Sequence, residues 1–310
     1  MVKSIYLYNN FNLKKRHKGS IILIGNFDGL HVGHQRLFQL AKNYKKKYSL
    51  KIGVLTFEPA PKMFFNKKIK NFRISNQQQK IKLLNRINVD FVITKRFNKE
   101  FSKTKSIDFI KKILSKKLNA KFIFVSNNFR FGNKREGDVK QLIRFENTCN
   151  YKIIKPKPLL SKKKIVSSTL IRNFLEKGKL NEANNILSRN WSIEGKVQKG
   201  KQLGKKIGFP TANIDIKDYV LAHPGVYAVR VKINKYSKTI KGIANLGYRP
   251  TFNGKKILLE VHLFNFSENL YNKYLTVDFL KFIRKEKKFK NIEQLKKQIE
   301  VDLLIAKKTK

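Results

Sequence analysis

Cysteine is nearly absent from this sequence: Cys149 is the single one in 310 residues. That excludes an intramolecular disulfide and a cysteine-built zinc site. Long apolar runs are missing as well. No stretch approaches the ~18 consecutive apolar residues of a membrane-spanning helix, so no span is expected. The first residues, Met1–Asn12, lack an extended apolar core and a small-residue cleavage site, so no secretory signal is expected there. These absences point to a cytoplasmic protein. Acidic residues are scarce too: 20 Asp and Glu stand against 70 Lys and Arg, a formal net charge of +50. Such an excess invites a nucleic-acid reading. However, the basic residues are 57 Lys and 13 Arg, spread along the whole chain rather than gathered in one arm. Asn, Ile and Phe are abundant too, and all of these have A- and T-rich codons, so mutational bias accounts for the skew. Neither a specific nucleic acid, a membrane nor a protein partner is expected. The positive field would still favour anionic substrates.

Hydrophobic residues make up 41% of the chain, ample for real cores, and the length suits two domains. The first half alternates strand and helix patterns. Ile21–Asn26, Lys51–Phe57, Asp90–Thr94 and Lys121–Val125 read as strands. Between them, His34–Lys45, Gln77–Ile87 and Ser106–Leu118 read as helices. The last is expected to bury a face of Ile107, Ile110, Ile113 and Leu114. Strands separated by helices predict an α/β doubly wound parallel sheet, in which ligands bind beyond the carboxyl ends of the strands. From Trp191 to Phe282 the runs are short, alternating and punctuated by Gly and Pro, as in Gly225–Ile233, Ile257–Phe264 and Leu275–Ile283. This predicts an antiparallel β-barrel or sandwich. A C-terminal helix from Asn291 to about Ala306 closes the chain. The domains are expected at 1–185 and 186–310.

Three segments of the first domain suit phosphate chemistry. Gly25–His34 reads GNFDGLHVGH. His31 and His34, three apart at a helix entry, can address one phosphate, and the helix N-terminus supplies N–H donors and a favourable dipole. Gly33 permits close approach. Imidazoles and amides aimed at an α-phosphate and a departing pyrophosphate lower the barrier of adenylyl transfer electrostatically. The bland alternative is a pair of histidines capping a helix. Ser167, Ser168, Thr169 and Arg172 make a second phosphate-binding device, or simply an N-cap with a surface arginine. Between these segments, Asn128, Phe129 and Arg130 in the loop 126–137 suit a planar ring and its phosphate, or a mobile basic loop.

The β-rich half opens with Gly204–Asn213, reading GKKIGFPTAN. Gly204 and Gly208 let a loop wrap phosphates, with Lys205 supplying charge. Thr211 and Asn213 share a face of an extended segment, and their oxygens suit Mg²⁺. A Gly-Pro turn leading into a strand is the alternative. Farther on, Glu260 and His262 face one side of a strand and Leu259 and Val261 the other.

Taken in order, these motifs resemble the bacterial bifunctional riboflavin kinase/FAD synthetases. That family shows GxFDGxHxGH, TFxPxP, VGxDFRFGxxRxGD and SSTxIR. Here they stand as Gly25–His34, Thr56–Pro61, Val125–Asp138 and Ser167–Arg172. The GxxxGFPTAN motif and an LExH segment at Leu259–His262 extend the likeness, which runs from about Ile21 to Leu304. The resemblance implies a nucleotidyltransferase domain followed by a riboflavin kinase domain. Riboflavin becomes FMN with one ATP, and FMN becomes FAD with a second. It assigns Glu260 as catalytic base and His31 and His34 to the adenylyl transition state. It places Gly25, Asp28, Gly33, Ser167, Ser168, Thr169, Arg172, Gly204, Lys205 and Gly208 on nucleotide phosphates, and Asn128, Phe129 and Arg130 on the flavin. Thr211 and Asn213 are placed on Mg²⁺. Two departures stand out. Ser126-Asn127-Asn128 replaces the usual Gly-x-Asp, and Lys205 replaces an Arg. The first leaves an alternative in which only the kinase works.

Overall fold

The protein, represented by a computed structural model, is described for residues 4–200, 204, 207–233, 239–251 and 254–309. It forms two compact units. Met1–Ile69 and Gln77–Val166 make the first, and Lys70–Asn76 and Ser167–Lys310 make the second.

The first unit is built on β1 (Tyr6–Tyr8), β2 (Ile21–Ile24), β3 (Ile52–Glu58), β4 (Phe91–Arg96) and β5 (Phe122–Phe124). A small hairpin follows, β6 (Arg130–Phe131) with β7 (Gly137–Asp138), and then β8 (Lys152–Ile154). A second small hairpin pairs β9 (Leu160–Ser161) with β10 (Lys164–Ile165). The main sheet has six strands in the order β1-β4-β3-β2-β5-β8, and every pair is parallel. β2 shows why no alternation is visible in its sequence. Ile21 and Leu23 enter one apolar cluster with Phe38 and Ala41 of the helix Val32–Tyr48. Ile22 and Ile24 enter a second cluster on the other face, with Ile110, Ile113 and Leu114. A parallel strand covered on both faces has no polar side. From β2 the chain winds outward through β3 to β4, then returns to β5 on the opposite flank of β2. That reversal makes the carboxyl ends of β2 and β5 the topological switch point of the sheet, where ligands bind in such folds.

One helix departs from expectation. Only Ser106–Asp108 is α-helical, and Phe109–Lys117 is a π-helix. The π-helix buries Phe109 together with Ile110, Ile113 and Leu114, while Ile107, in the α-helical turn before it, is exposed, so the expected face is right at three positions and wrong at Ile107.

The second unit contains a closed barrel of β11 (Ser192–Gln198), β12 (Ala212–Asp215), β13 (Gly225–Ile233), β14 (Thr239–Thr251), β15 (Gly254–Leu263) and β16 (Tyr274–Lys285). The order is β11-β12-β15-β14-β13-β16, and β16 pairs back to β11, so no edge is left unpaired. Trp191 packs on Phe279 in a tilted arrangement with ring centroids 4.6 Å apart, and its indole N–H donates to the carbonyl of Ile74 at 2.9 Å. The helices Ser168–Glu176 and Leu180–Leu187 precede the barrel in this unit, and the helix Ile292–Lys308 follows it. Asn291 caps that last helix through its side chain. Arg284 at the end of β16 grips Asp302 of the helix, with Nε 2.8 Å from Oδ2 and 3.0 Å from Oδ1.

Candidate active sites

In the first unit the loop from Gly25 to His31 leaves β2 at the switch point and feeds directly into the helix Val32–Tyr48. It is tightly wound. Phe27 (φ 49°), Gly29 (φ 77°) and Leu30 (φ 40°) all occupy the left-handed region. Two of these are not glycine, a backbone cost that functional loops commonly carry. Asp28 and His31 are buried within it. His31 is the helix N-cap, and its Nδ1 accepts from the His34 amide at 3.3 Å. An accepting Nδ1 leaves the proton of a neutral ring on Nε2. The His34 ring stacks on His31 at a centroid distance of 3.7 Å and meets Phe27 edge-on. Burial, and secondarily the neighbouring His31, hold the His34 imidazole well below its ordinary pKa, so it is neutral at physiological pH. Its Nδ1 is inaccessible and finds no hydrogen-bond partner among the described residues. The structure therefore realises the capping alternative for His31 and still brings the two rings together. Gly33 packs closely on this ring: a Cβ there would lie 3.1 Å from His31 Nδ1.

The loop after β5 is a pinned hairpin. Gly132 (φ 77°) packs so close to Ser106 that a Cβ would lie 2.8 Å from its backbone. The Ser106 amide donates to Glu136 Oε1 at 2.6 Å. Asn128 is exposed, and its Oδ1 accepts from Ser126 Oγ at 3.0 Å. Phe129 stacks on Phe131 with centroids 5.5 Å apart and packs on the core. Arg130 lies 3.7 Å from Asp138 across the hairpin.

Ser167–Arg172 belongs to the second unit. Ser167 Oγ caps the helix Ser168–Glu176 by accepting from the Leu170 amide at 3.2 Å. Ser168 and Thr169 occupy its first turn. Arg172 donates from Nε to the Phe72 carbonyl at 2.7 Å, with its guanidinium 3.7 Å from the centre of the Phe72 ring.

The barrel holds the second site. Cross-strand register sets Asn213 of β12 opposite Glu260 of β15, and Glu260 opposite Asn245 of β14. Three polar side chains thus form one row on the wall of a cavity of about 680 Å³. Thr211 and His262 line the same cavity, while Leu259 and Val261 are buried in the barrel, as the alternation predicts. His262 Nδ1 lies 2.8 Å from the Pro210 carbonyl. A carbonyl only accepts, so Nδ1 carries the proton and holds the Pro210-Thr211 backbone in place. Asn213 is buried, and its Oδ1 has no hydrogen-bond partner among the described residues. The turn before it is closed by the Phe209 amide donating to the Gly204 carbonyl at 2.8 Å, and Gly208 sits at φ 93°. Lys205 lies outside the described residues.

Two family models match successive stretches of the chain. Residues 13–170 match the FAD synthetase family model, and residues 187–310 match the riboflavin kinase model. A bifunctional riboflavin kinase/FMN adenylyltransferase from Buchnera aphidicola (Schizaphis graminum) is 42% identical over 96% of both chains. The Escherichia coli K12 protein of that name is 36% identical over 94% of this chain and 92% of its own. This chain belongs to the bifunctional riboflavin kinase/FMN adenylyltransferase family. A crystal structure of a macrolide-efflux protein from Streptococcus pneumoniae shares the fold, with TM-score 0.86 and 27% identity over 99% of this chain and 100% of that one. No helix among the described residues of this family member is long and apolar enough to cross a membrane.

Sequence reasoning missed three polar groups at these sites. Asn245 joins the row only through strand register. Glu286, just past β16, lines the cavity and hydrogen-bonds Asn245. Burial, with Glu260 adding to it against that bond, raises the Glu286 carboxyl above its ordinary pKa. Lys80, on the helix Gln77–Arg86, is buried at the ends of β2 and β3. Asn245 lies in a segment, Asn245-Leu246-Gly247, that follows the family pattern, but the local sequence gives none of the three a role.

Proposed function

We propose that this chain, as the family implies, catalyses two successive reactions, one in each functional domain (1–185 and 186–310), in the cytoplasm. In the barrel, the 5′-hydroxyl of riboflavin attacks the γ-phosphate of ATP, giving FMN and ADP. Glu260 accepts the hydroxyl proton as the phosphoryl group arrives. In the adenylyltransferase domain, a phosphate oxygen of FMN attacks the α-phosphate of a second ATP, giving FAD and pyrophosphate.

The observation that carries the kinase half is the Asn213–Glu260–Asn245 row on the cavity wall. The residues also fit Mg²⁺. Asn213 Oδ1 is a buried acceptor lacking a partner among the described residues, and Thr211 offers a hydroxyl on the same face. Mg²⁺ bound there neutralises phosphate charge. The glycine turn with Gly204 and Gly208 would shape the phosphate end of the cavity, with Lys205 adding charge.

Support for the adenylyl half comes from the strained Gly25–His34 loop at the switch point. Helix-start amides, including that of Gly33, meet an anion there with the helix dipole behind them. A neutral His31 whose Nδ1 accepts has Nε2–H to donate, and a neutral His34 keeps charge out of the same stack. Gly25, Asp28 and Gly33 shape the loop. Ser167, Ser168, Thr169 and Arg172 are proposed for nucleotide phosphates, and Asn128, Phe129 and Arg130 for the flavin. Phe129 then offers only what its stack with Phe131 leaves accessible.

Incubation of the full chain with riboflavin, ATP and Mg²⁺, with both flavin products separated over time, tests the whole reading. FMN should appear first and FAD after it, with one ADP per phosphorylation and one pyrophosphate per adenylylation. FMN accumulating without FAD at saturating ATP would reduce the chain to a kinase.

A further inference from the structure

The helix Gln77–Arg86 reads QQQKIKLLNR, and nothing in it marks one lysine for the interior. Yet Lys80 is 3% exposed, the only buried lysine or arginine among the described residues of a very lysine-rich chain. Burying an ammonium is costly unless it is held by polar partners, so such a placement needs a reason. Its position supplies one. Nζ lies 3.2 Å from Thr56 Oγ1 on β3 and 3.4 Å from the carbonyl of Asn26, two residues beyond the end of β2. Asn26 is part of the loop that carries Asp28 and His31, both buried polar residues. The ammonium thus ties adjacent parallel strands together where the phosphate loop departs. It also keeps a fixed positive charge beneath that loop, away from bulk water. A charge held in such a place acts strongly on a transition state whose negative charge grows nearby, and needs no reorganisation as it does so.

We propose that Lys80 is a positioning residue for adenylyl transfer, acting through Asn26 and the loop that Asn26 begins. This rests on the reading of the first unit as an adenylyltransferase. The test uses the full chain and two substitutions. Lys80→Met keeps an unbranched stem and removes the ammonium, and Lys80→Arg restores the charge. FAD formation from supplied FMN is measured as kcat and KM for ATP. FMN formation from riboflavin in the same preparation monitors the other active site. Lys80→Met should lower the adenylyl kcat by about 100-fold, change KM for ATP by less than about threefold, and leave FMN formation intact. Lys80→Arg should recover to within about tenfold of the original chain. An adenylyl kcat in Lys80→Met within about threefold of the original overturns the inference, as does equal loss in both variants, which would assign the side chain to packing alone. If the unsubstituted chain forms no FAD from FMN, the adenylyltransferase reading fails and this inference falls with it. An active original chain with an unaffected Lys80→Met removes the inference alone.

Discussion

The ring of His31 lies so near Gly33 that an added Cβ would sit 3.1 Å from Nδ1 and 3.2 Å from Cε1. Gly33 is helical, so Gly33→Ala gains helix propensity of up to about 1 kcal/mol while pressing on that ring. The expected outcome separates stability from catalysis. Thermal stability holds or rises, and FAD formation from FMN falls about tenfold, short of the 10²-fold cost of an ångström-scale misplacement. FMN formation should not change. Unaltered FAD formation would free His31 from the role proposed for it. At this scale the sequence was legible where periodicity is local. Glu260 and His262 share a face because a strand alternates every two residues. Asn245 and Glu286 were not legible, because they meet Glu260 only through the register of β14 with β15 and the path of the chain beyond β16. His31 carries both of its sequence readings at once, as a cap and as the partner of His34.

Among the elements, the C-terminal helix packs through Leu303 and Ala306 and is also held by a buried ion pair. The Asp302 side chain is 2% exposed, and its carboxylate also accepts from Gln298 at 3.0 Å. Asp302→Asn leaves the Arg284 guanidinium without its counter-charge, at a cost of about 3 kcal/mol or more. Trp191 is the only tryptophan in the chain, lies in the second unit and is buried against Phe279, so its fluorescence reports that unit's unfolding. The denaturant midpoint followed by Trp191 should fall in Asp302→Asn, and an unchanged midpoint would show the pair to be dispensable. The same helix supplies Ile292, Leu295 and Ile299 to the cavity wall, so KM for riboflavin should rise in parallel. Strong amphipathic elements were readable in outline. The run after Ser106 was misread because its apolar residues were fitted to a 3.6-residue period, whereas the backbone there follows the wider π spacing. The short strands β1 and β8 carry too few residues for any period to show.

Across the whole chain, the alternation of strand and helix patterns gave the α/β sheet, the short alternating runs gave the β-rich half, and the ordered motifs gave the reactions through the family they resemble. The switch point of the sheet and the cavity of the barrel are products of topology, and no single segment displays either. The compact units divide at Val166/Ser167 and assign Lys70–Asn76 to the second, whereas the boundary expected from the sequence, 185/186, falls within the helix Leu180–Leu187. Local patterns mark where helices end. They do not show that the Ile74 carbonyl receives the Trp191 indole N–H, a bond spanning 117 positions.

The two reactions are assigned to two distinct sites, with Glu260 serving only the first. Glu260→Gln keeps the shape of the side chain and removes its capacity to take a proton. Assayed in one preparation with riboflavin and separately with FMN, the variant should lose FMN formation by about 10²- to 10⁴-fold, while FAD formation from supplied FMN stays near that of the original chain. Retained FMN formation, or equal loss of both activities, would remove Glu260 from that role.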